Sequence, residues 1–389
     1  MFAFEFDMPT KVVFGEGAVA KLGGLAAGFG KKALLVTYDE DFVKKMGFYQ
    51  KVAESCKAAG VTLISAFGVK SNPTVEHALG VIALVKKERP DVIIALGGGS
   101  AIDEAKFVGV SAGYDGDPWD LASGKSPITA CLPIIAVVTI PATSSELNGT
   151  SVMSYEKIQR KDGFVNGLMR PRFAVLDPEL TYTIPIRQTA YSAADIVSHL
   201  LEAYIGHGLD WAPFQDHYCQ ASIRTIMECM ERLLKDPKDK EARAQMMWTA
   251  SYAWNGFYPC GLGPCDATIH FLAHSLSNFY DTPHGAAMSV TIPATMRYFL
   301  KTKTKKLATI AREVFAISDA DDLAAAKAGI AAFIGWFKKI GTPTTLAEAG
   351  IPAEAIAKMA PDALKTAQAW GLGELYTLDT CTEMFDLCK

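Results

Sequence analysis

The chain has 389 residues, 50% of them apolar and 21% charged, with ordinary glycine and proline content, which describes a globular protein of two domains and excludes a disordered or fibrous one. A formal net charge of -4 without a basic stripe argues against nucleic acid or anionic membrane as a partner. The opening MFAFEFDMPTKVVFG carries acidic residues where a signal peptide needs a basic flank, and the eight cysteines form no CxxC pair, so reduced thiols in a cytoplasm are expected.

Taken in chain order, GEGAVA at residues 15–20 matches the dinucleotide fingerprint G-x-G-x-x-G/A and follows KVVF, with Tyr38-Asp39-Glu40 about twenty residues on. The motif is short and lacks a clean strand-helix-strand context, so the phosphate site is placed elsewhere. KALLVT, the helical run of residues 41–60, VTLIS, VEHALGVIALVKKE, DVIIALGGGS and AIDEAKFVGVSAG then alternate strand and helix. That order demands right-handed crossovers and a parallel sheet covered on both faces. Gly97, Gly98 and Gly99 follow the apolar strand VIIAL, and Ser100 opens a helix. Glycines let backbone approach a diphosphate, whose charge the free amides of a helix start attract. CLPIIAVVTIPA, residues 131–142, is too short to span a bilayer and reads as a buried strand. The loop after it presents Thr139, Thr143, Ser144, Ser145 and Asn148 where ligands of open α/β sheets bind. Two polar loops of this kind imply one extended anionic ligand.

After about residue 183 the periods become long and helical, in residues 192–205, 213–235, 241–257, 304–317 and 323–340. Residues 1–186 are therefore expected to form an α/β dinucleotide-binding domain with a parallel sheet, and residues 187–389 an all-α, metal-binding domain. No repeat of fixed period interrupts either half.

The helical half holds four side chains with metal-ligand chemistry: Asp195 and His199 in DIVSH, then His270 and His284 in IHFLAHSLSNFYDTPH. Residues four apart share a helix face, so Asp195/His199 and His270/His274 each aim two polar groups one way, and two such helices can close a cage around one ion. A carboxylate with imidazoles suits Fe²⁺ or Zn²⁺ better than Mg²⁺ or Ca²⁺. A single histidine on an apolar helix is more often a core residue, but three of the chain's seven crowd into residues 270–284. His77, His207 and His217 read as surface or packing residues, and Cys260 and Cys265 as buried thiols rather than ligands. Phe257, Phe271, Leu272, Phe279, Tyr280 and Trp254 lie near these motifs in the sequence and favour an apolar or weakly polar alcohol or aldehyde.

SNPTVE, GGGSAIDEAK, TIPATSSE, RFAVLDPELTYTIP, DIVSH, H-x-x-x-H and DTPHG together resemble the iron-containing (group III) alcohol dehydrogenases, nearest to their butanol dehydrogenase branch, from TKVVFGEGAVAKL to IGTPTTLAEAGI. The resemblance implies a dehydroquinate synthase-like architecture with a metal in the cleft between its domains, held by Asp195, His199, His270 and His284. It implies that Gly97, Gly98 and Ser100 meet a pyrophosphate, that Asn72, Thr139 and Thr143 line the cofactor cleft, and that Lys161, with Lys157 as rival, reaches the nucleotide. His274 matches a histidine beside the nicotinamide and substrate, the candidate proton relay. The chain departs from the pattern at Ser144, where relatives usually carry glycine or alanine. The position at which NAD-preferring relatives carry a carboxylate for the ribose hydroxyls corresponds to Tyr38, with Asp39 and Glu40 directly after it, favouring NAD(H) over NADP(H). The implied reaction is reversible hydride transfer between NAD(P)(H) and a small primary alcohol or aldehyde, in a homodimer. A metal-dependent lyase of the dehydroquinate synthase type would want Lys/Arg clusters near the metal, and a non-catalytic nucleotide-binding protein would be expected to lose a ligand or a glycine-loop element.

Overall fold

The computed structural model of the chain describes residues 1–209 and 211–389. Its strands are β1 (Lys11–Phe14), β2 (Lys32–Thr37), β3 (Thr62–Ala66), β4 (Val92–Gly97), β5 (Ile134–Val138), β6 (Thr150–Tyr155), β7 (Arg160–Val165) and β8 (Phe173–Leu176). Its α-helices are α1 (Leu22–Ala27), α2 (Glu40–Lys45), α3 (Phe48–Ala58), α4 (Val75–Glu88), α5 (Gly99–Ser111), α6 (Pro118–Ala122), α7 (Ile186–Gly206), α8 (Pro213–Lys235), α9 (Lys240–Ala253), α10 (Thr268–Tyr280), α11 (His284–Tyr298), α12 (Thr304–Phe315), α13 (Asp322–Ile340), α14 (Ile356–Ala369) and α15 (Leu378–Asp386). Contacts group Asp7–Ile184 with Lys238–Asn255 in one compact unit, and Met1–Phe6 with Pro185–Pro237 and Gly256–Lys389 in another.

The first unit is an α/β layer structure around a parallel sheet of order β1-β8-β5-β4-β2-β3, with β6 and β7 as a separate antiparallel hairpin. Alternation within the strands explains the two covered faces. Leu34, Val36, Ile93, Ala95, Ile134, Ala136 and Val138 pack on one side with Val75, Ala78 and Val81 of α4 and Ala101, Ile102 and Ala105 of α5. Ala33, Leu35, Ile94, Leu96, Ile135 and Val137 pack on the other with Leu22 and Ala26 of α1 and Phe48, Val52 and Cys56 of α3. Because Gly97 pairs with Val138, β4 and β5 end side by side, and the Thr139 amide donates to the Gly97 carbonyl at 2.8 Å.

Helix α9, counted with the helical half on periodicity, folds into the α/β unit. Met247 joins the sheet-face core, Trp248 packs edge-on to Phe14 at 5.7 Å, Lys240 pairs with Glu16 at 3.1 Å and Arg243 donates to the Ile184 carbonyl. The helical unit is built around α7, which is buried on every side from Thr189 to Ile205 and packs on α8 and α11, while α10 packs on α11 and α14. At the α7–α11 crossing a Cβ on Gly285 would come within 2.0 Å of the Tyr191 carbonyl, so only glycine permits this approach. No helix among the described residues is long and apolar enough to cross a membrane.

Candidate metal centre and dinucleotide loop

In the helical unit, Asp195 and His199 lie one turn apart on α7, and His270 comes from the first turn of α10. Asp281, in a left-handed conformation, ends α10, and the Ser277 hydroxyl donates to the Thr282 carbonyl, closing a short turn that leaves His284 as the first residue of α11. One ligand atom each from Asp195, His199 and His270 lies within 4.8 Å of the others. His284 Nε2 is 3.6 Å and His199 Nδ1 3.8 Å from Asp195 Oδ1, and the His199 and His270 rings are 4.7 Å apart. Ligands bound at about 2.1 Å in a tetrahedron sit roughly 3.4 Å from each other, so Asp195, His199 and His270 are spaced to share one ion, with His284 Nε2 beside Asp195. Burial and the neighbouring His270 hold His199 well below the usual imidazole pKa, which keeps it neutral and able to donate a lone pair. One carboxylate and imidazole nitrogens in a largely buried site suit Fe²⁺ or Zn²⁺.

His274, also buried, has its ring 5.8 Å from that of His284 and edge-on to Trp370 at 5.2 Å. Two groups at this centre escape the sequence reading. Trp370 arrives from the end of α14, far away in the chain. Glu202 is on α7 three residues beyond His199, and its buried carboxylate lies 2.5 Å from His270 Nδ1. Burial pushes its carboxyl upward while the Ile269 and His270 amides pull it back. The spacing D-x-x-x-H-x-x-E, which puts Asp195, His199 and Glu202 on one face, was the available signal.

The aromatic residues near these motifs serve packing. Phe271 and Leu272 are sealed in the core, Phe271 against Tyr376, and Lys358 lies over both Phe279 and Tyr280. Phe257 clusters with Phe6, Phe214 and Tyr218, and Trp254 belongs to the α/β unit. Cys260 and Cys265 donate to the Gly256 and Glu202 carbonyls. Of the histidines read as surface or packing, His217 is exposed, His207 is buried with its Nδ1 accepting from the Leu209 amide, and His77 bridges Glu104 and the Phe67 carbonyl.

In the α/β unit, α5 starts at Gly99 with Gly98 as its cap, so the amides of its first turn face outward from the end of β4. A Cβ on Gly99 would fall 2.6 Å from the Thr143 side chain, and one on Gly98 would fall 3.1 Å from Ile140. The Gly98 amide is committed to the Tyr38 hydroxyl at 2.9 Å, and burial pushes that phenol up to about 12. Ser100 donates to the Ser71 carbonyl, and Lys161 on β7 donates to Asn72 at 2.8 Å. The Ser71 carbonyl and the side chains of Asn72, Ser100 and Lys161 thus form one connected patch beside the helix start, with the cationic character a diphosphate needs. Lys157 is exposed near the hairpin turn, its amide on Glu76. Asp39 caps α2 by accepting from the Phe42 amide at 3.0 Å. In the GEGAVA segment the Gly17 and Val19 amides donate to Asp177, which commits them to a turn.

Two of the proposed cofactor residues are engaged internally. Lys106, fully buried and pushed down to about 8 by that burial, donates to Ser145 at 2.7 Å, Asn148 at 3.1 Å and the Thr150 carbonyl at 2.7 Å. Ser145 also donates to Asp103, and the Asn148 amide group donates to the Thr143 and Trp254 carbonyls. Their side chains fix the loop after β5. Ser144, at a φ of 53°, donates to the Ala250 carbonyl at 2.5 Å and accepts from the Trp254 amide at 2.8 Å. The departure from the family pattern therefore ties this loop to the end of α9.

The family model for iron-containing alcohol dehydrogenase matches residues 9–178, and that for the family's C-terminal domain matches residues 189–385. The NADH-dependent butanol dehydrogenase A of Clostridium acetobutylicum is 34% identical over 367 residues, covering 94% of each protein. The NADPH-dependent aldehyde reductase YqhD of Escherichia coli is 32% identical over 395 residues, covering 99% of each. The crystal structure of NADH-dependent butanol dehydrogenase A from Thermotoga maritima superposes with a TM-score of 0.94 at 35% identity, over 99% of this chain and 98% of that one.

Proposed function

The chain belongs to the iron-containing alcohol dehydrogenase family and is an alcohol dehydrogenase/aldehyde reductase; from that premise we propose that it transfers a hydride between NAD(H) and a small primary alcohol or its aldehyde, with Fe²⁺ or Zn²⁺ held by Asp195, His199, His270 and His284. The observation that carries this reading is the convergence of Asp195, His199 and His270 ligand atoms within 4.8 Å in a buried site, with His284 at 3.6 Å from Asp195. When bound, the ion supplies Lewis acidity toward a substrate oxygen, and the nicotinamide supplies or accepts the hydride.

The chain's own residues bind, orient and move protons. Asp195 contributes the negative charge that partly neutralises a divalent cation, and neutral His199 contributes a lone pair. A ring nitrogen of His274, beside His284, takes the hydroxyl proton of an alcohol and passes it toward water. The outward amides of α5 with Lys161 and Asn72 orient the dinucleotide diphosphate. Asp39, Glu40 and Asp41 after β2 repel a 2′-phosphate, which supports NAD(H) over NADP(H). Free cysteines support a reducing cytoplasm. Exposed Phe2, Phe4, Phe214 and Trp211, the last 82% exposed, support a homodimer.

The test is metal analysis of protein purified without air, joined to NADH and NADPH assays across short aldehydes. His270→Ala is expected to lose bound metal and turnover together while keeping its affinity for NADH. Turnover by metal-free protein would sink the assignment.

A further inference from the structure

Helix α10 begins without a side-chain cap of its own, because its N-cap is Ala267. Its first-turn amides are satisfied from another helix: the Ile269 amide donates to Glu202 Oε1 at 2.9 Å and the His270 amide to Oε2 at 3.1 Å. His270 Nδ1 lies 2.5 Å from the same Oε2. Three N–H positions thus converge on a carboxylate whose side chain is only 3% exposed. Two of the donors are backbone amides, one on each oxygen, which cannot reverse direction and which favour the ionised acceptor. Where Glu202 is ionised its Oε2 can only accept, so Nδ1 carries the ring proton and the His270 lone pair is on Nε2.

From this geometry we infer that Glu202 is the positioning residue of the metal centre: it fixes the tautomer and ring plane of His270, and thereby the affinity of the site for a divalent ion. This inference rests on the proposal that Asp195, His199, His270 and His284 hold an ion. Helix α7 has a double duty here, supplying two ligands at Asp195 and His199 and, one turn further on, the group that aims a third ligand from α10. A carboxylate behind a ligating imidazole also raises the basicity of the ring, and losing such a partner costs about 10- to 100-fold in metal affinity. A role in capping alone would change stability without changing how the ring is protonated.

Two measurements separate these outcomes. Stripped wild-type protein, with its histidines labelled with ¹⁵N, is expected to show His270 as the Nδ1–H tautomer; an Nε2–H tautomer there overturns the inference without any variant having to fold. Competitive chelator titration with Zn²⁺ and Co²⁺ is then compared for wild type, Glu202→Gln and Glu202→Asp. Both variants are expected to bind about 10- to 100-fold more weakly, with an altered visible spectrum of bound Co²⁺ and unchanged NADH affinity. Equal ion affinity in wild type and Glu202→Gln refutes the role of Glu202. Failure of the wild type to bind either ion refutes instead the metal reading on which it stands.

Discussion

At the residue scale, Ser144 shows a local rule broken and compensated. A left-handed conformation costs a non-glycine residue roughly 1–2 kcal/mol, yet Ser144 holds it at a φ of 53° while fully buried. Its hydroxyl offsets the cost by joining the Ala250 carbonyl and the Trp254 amide, at the end of α9. Ser144→Ala keeps the strain and removes both bonds, so it is expected to lose about 2 kcal/mol in a urea unfolding experiment. Ser144→Gly removes the bonds and the strain together and should lose about half as much. An alanine variant as stable as wild type would show that the hydroxyl contributes nothing. Lys106 follows the same logic one layer deeper: a cation without solvent is tolerated because Ser145, Asn148 and the Thr150 carbonyl surround its ammonium group, with Asp103 nearby.

At the scale of elements, His77 ties α4 to α5 and to the segment after β3. Its Nδ1 lies 2.6 Å from Glu104 and its Nε2 2.9 Å from the Phe67 carbonyl. Since a carbonyl only accepts, Nε2 is the donor, and a proton on Nδ1 completes an ion pair with Glu104. The Glu104 hydrogen bond raises the His77 pKa above 6.5, against the opposing effect of burial. A raised histidine pKa gives stability that is complete below the unfolded value of 6.5 and is lost as pH rises through the folded value. His77→Ala is therefore expected to cost about 2 kcal/mol at pH 6, discounted from a fully buried pair because the ring is partly exposed, and clearly less at pH 9. A penalty independent of pH would show that the contact is packing alone. The strand–helix alternation behind this packing is legible in residues 32–113 because β-branched runs separated by amphipathic ones allow one layered solution. The neighbours of α9 are not legible, since a helical period says that one face is buried and not against what. Glu202 is hidden for the same reason, a glutamate on a helix reading as a solvated charge. The proposed pairing of Asp195 with His199 is visible because two ligand-type residues stand four apart on one helix.

At the scale of the molecule, the two chemistries come from separate compact units. All four proposed ligands belong to the unit containing α7, α10 and α11, and the glycine loop, Asn72 and Lys161 belong to the unit built on the parallel sheet. A ligand stabilises the folded state in proportion to its occupancy, by about 2.7 kcal/mol at a hundredfold excess over Kd, and slows amide exchange first where its contacts hold the backbone. Zn²⁺ added to stripped protein is accordingly expected to slow exchange in α7, the first turn of α10 and the start of α11. NADH should act first at the β4–α5 junction and in the loop after β5. The first turn of α10 is the sharpest reporter, because its Ile269 and His270 amides are bonded to the same carboxylate that contacts the His270 ring. If Zn²⁺ leaves those two amides unchanged while slowing the glycine loop, the ion is not held by the proposed ligands Asp195, His199, His270 and His284.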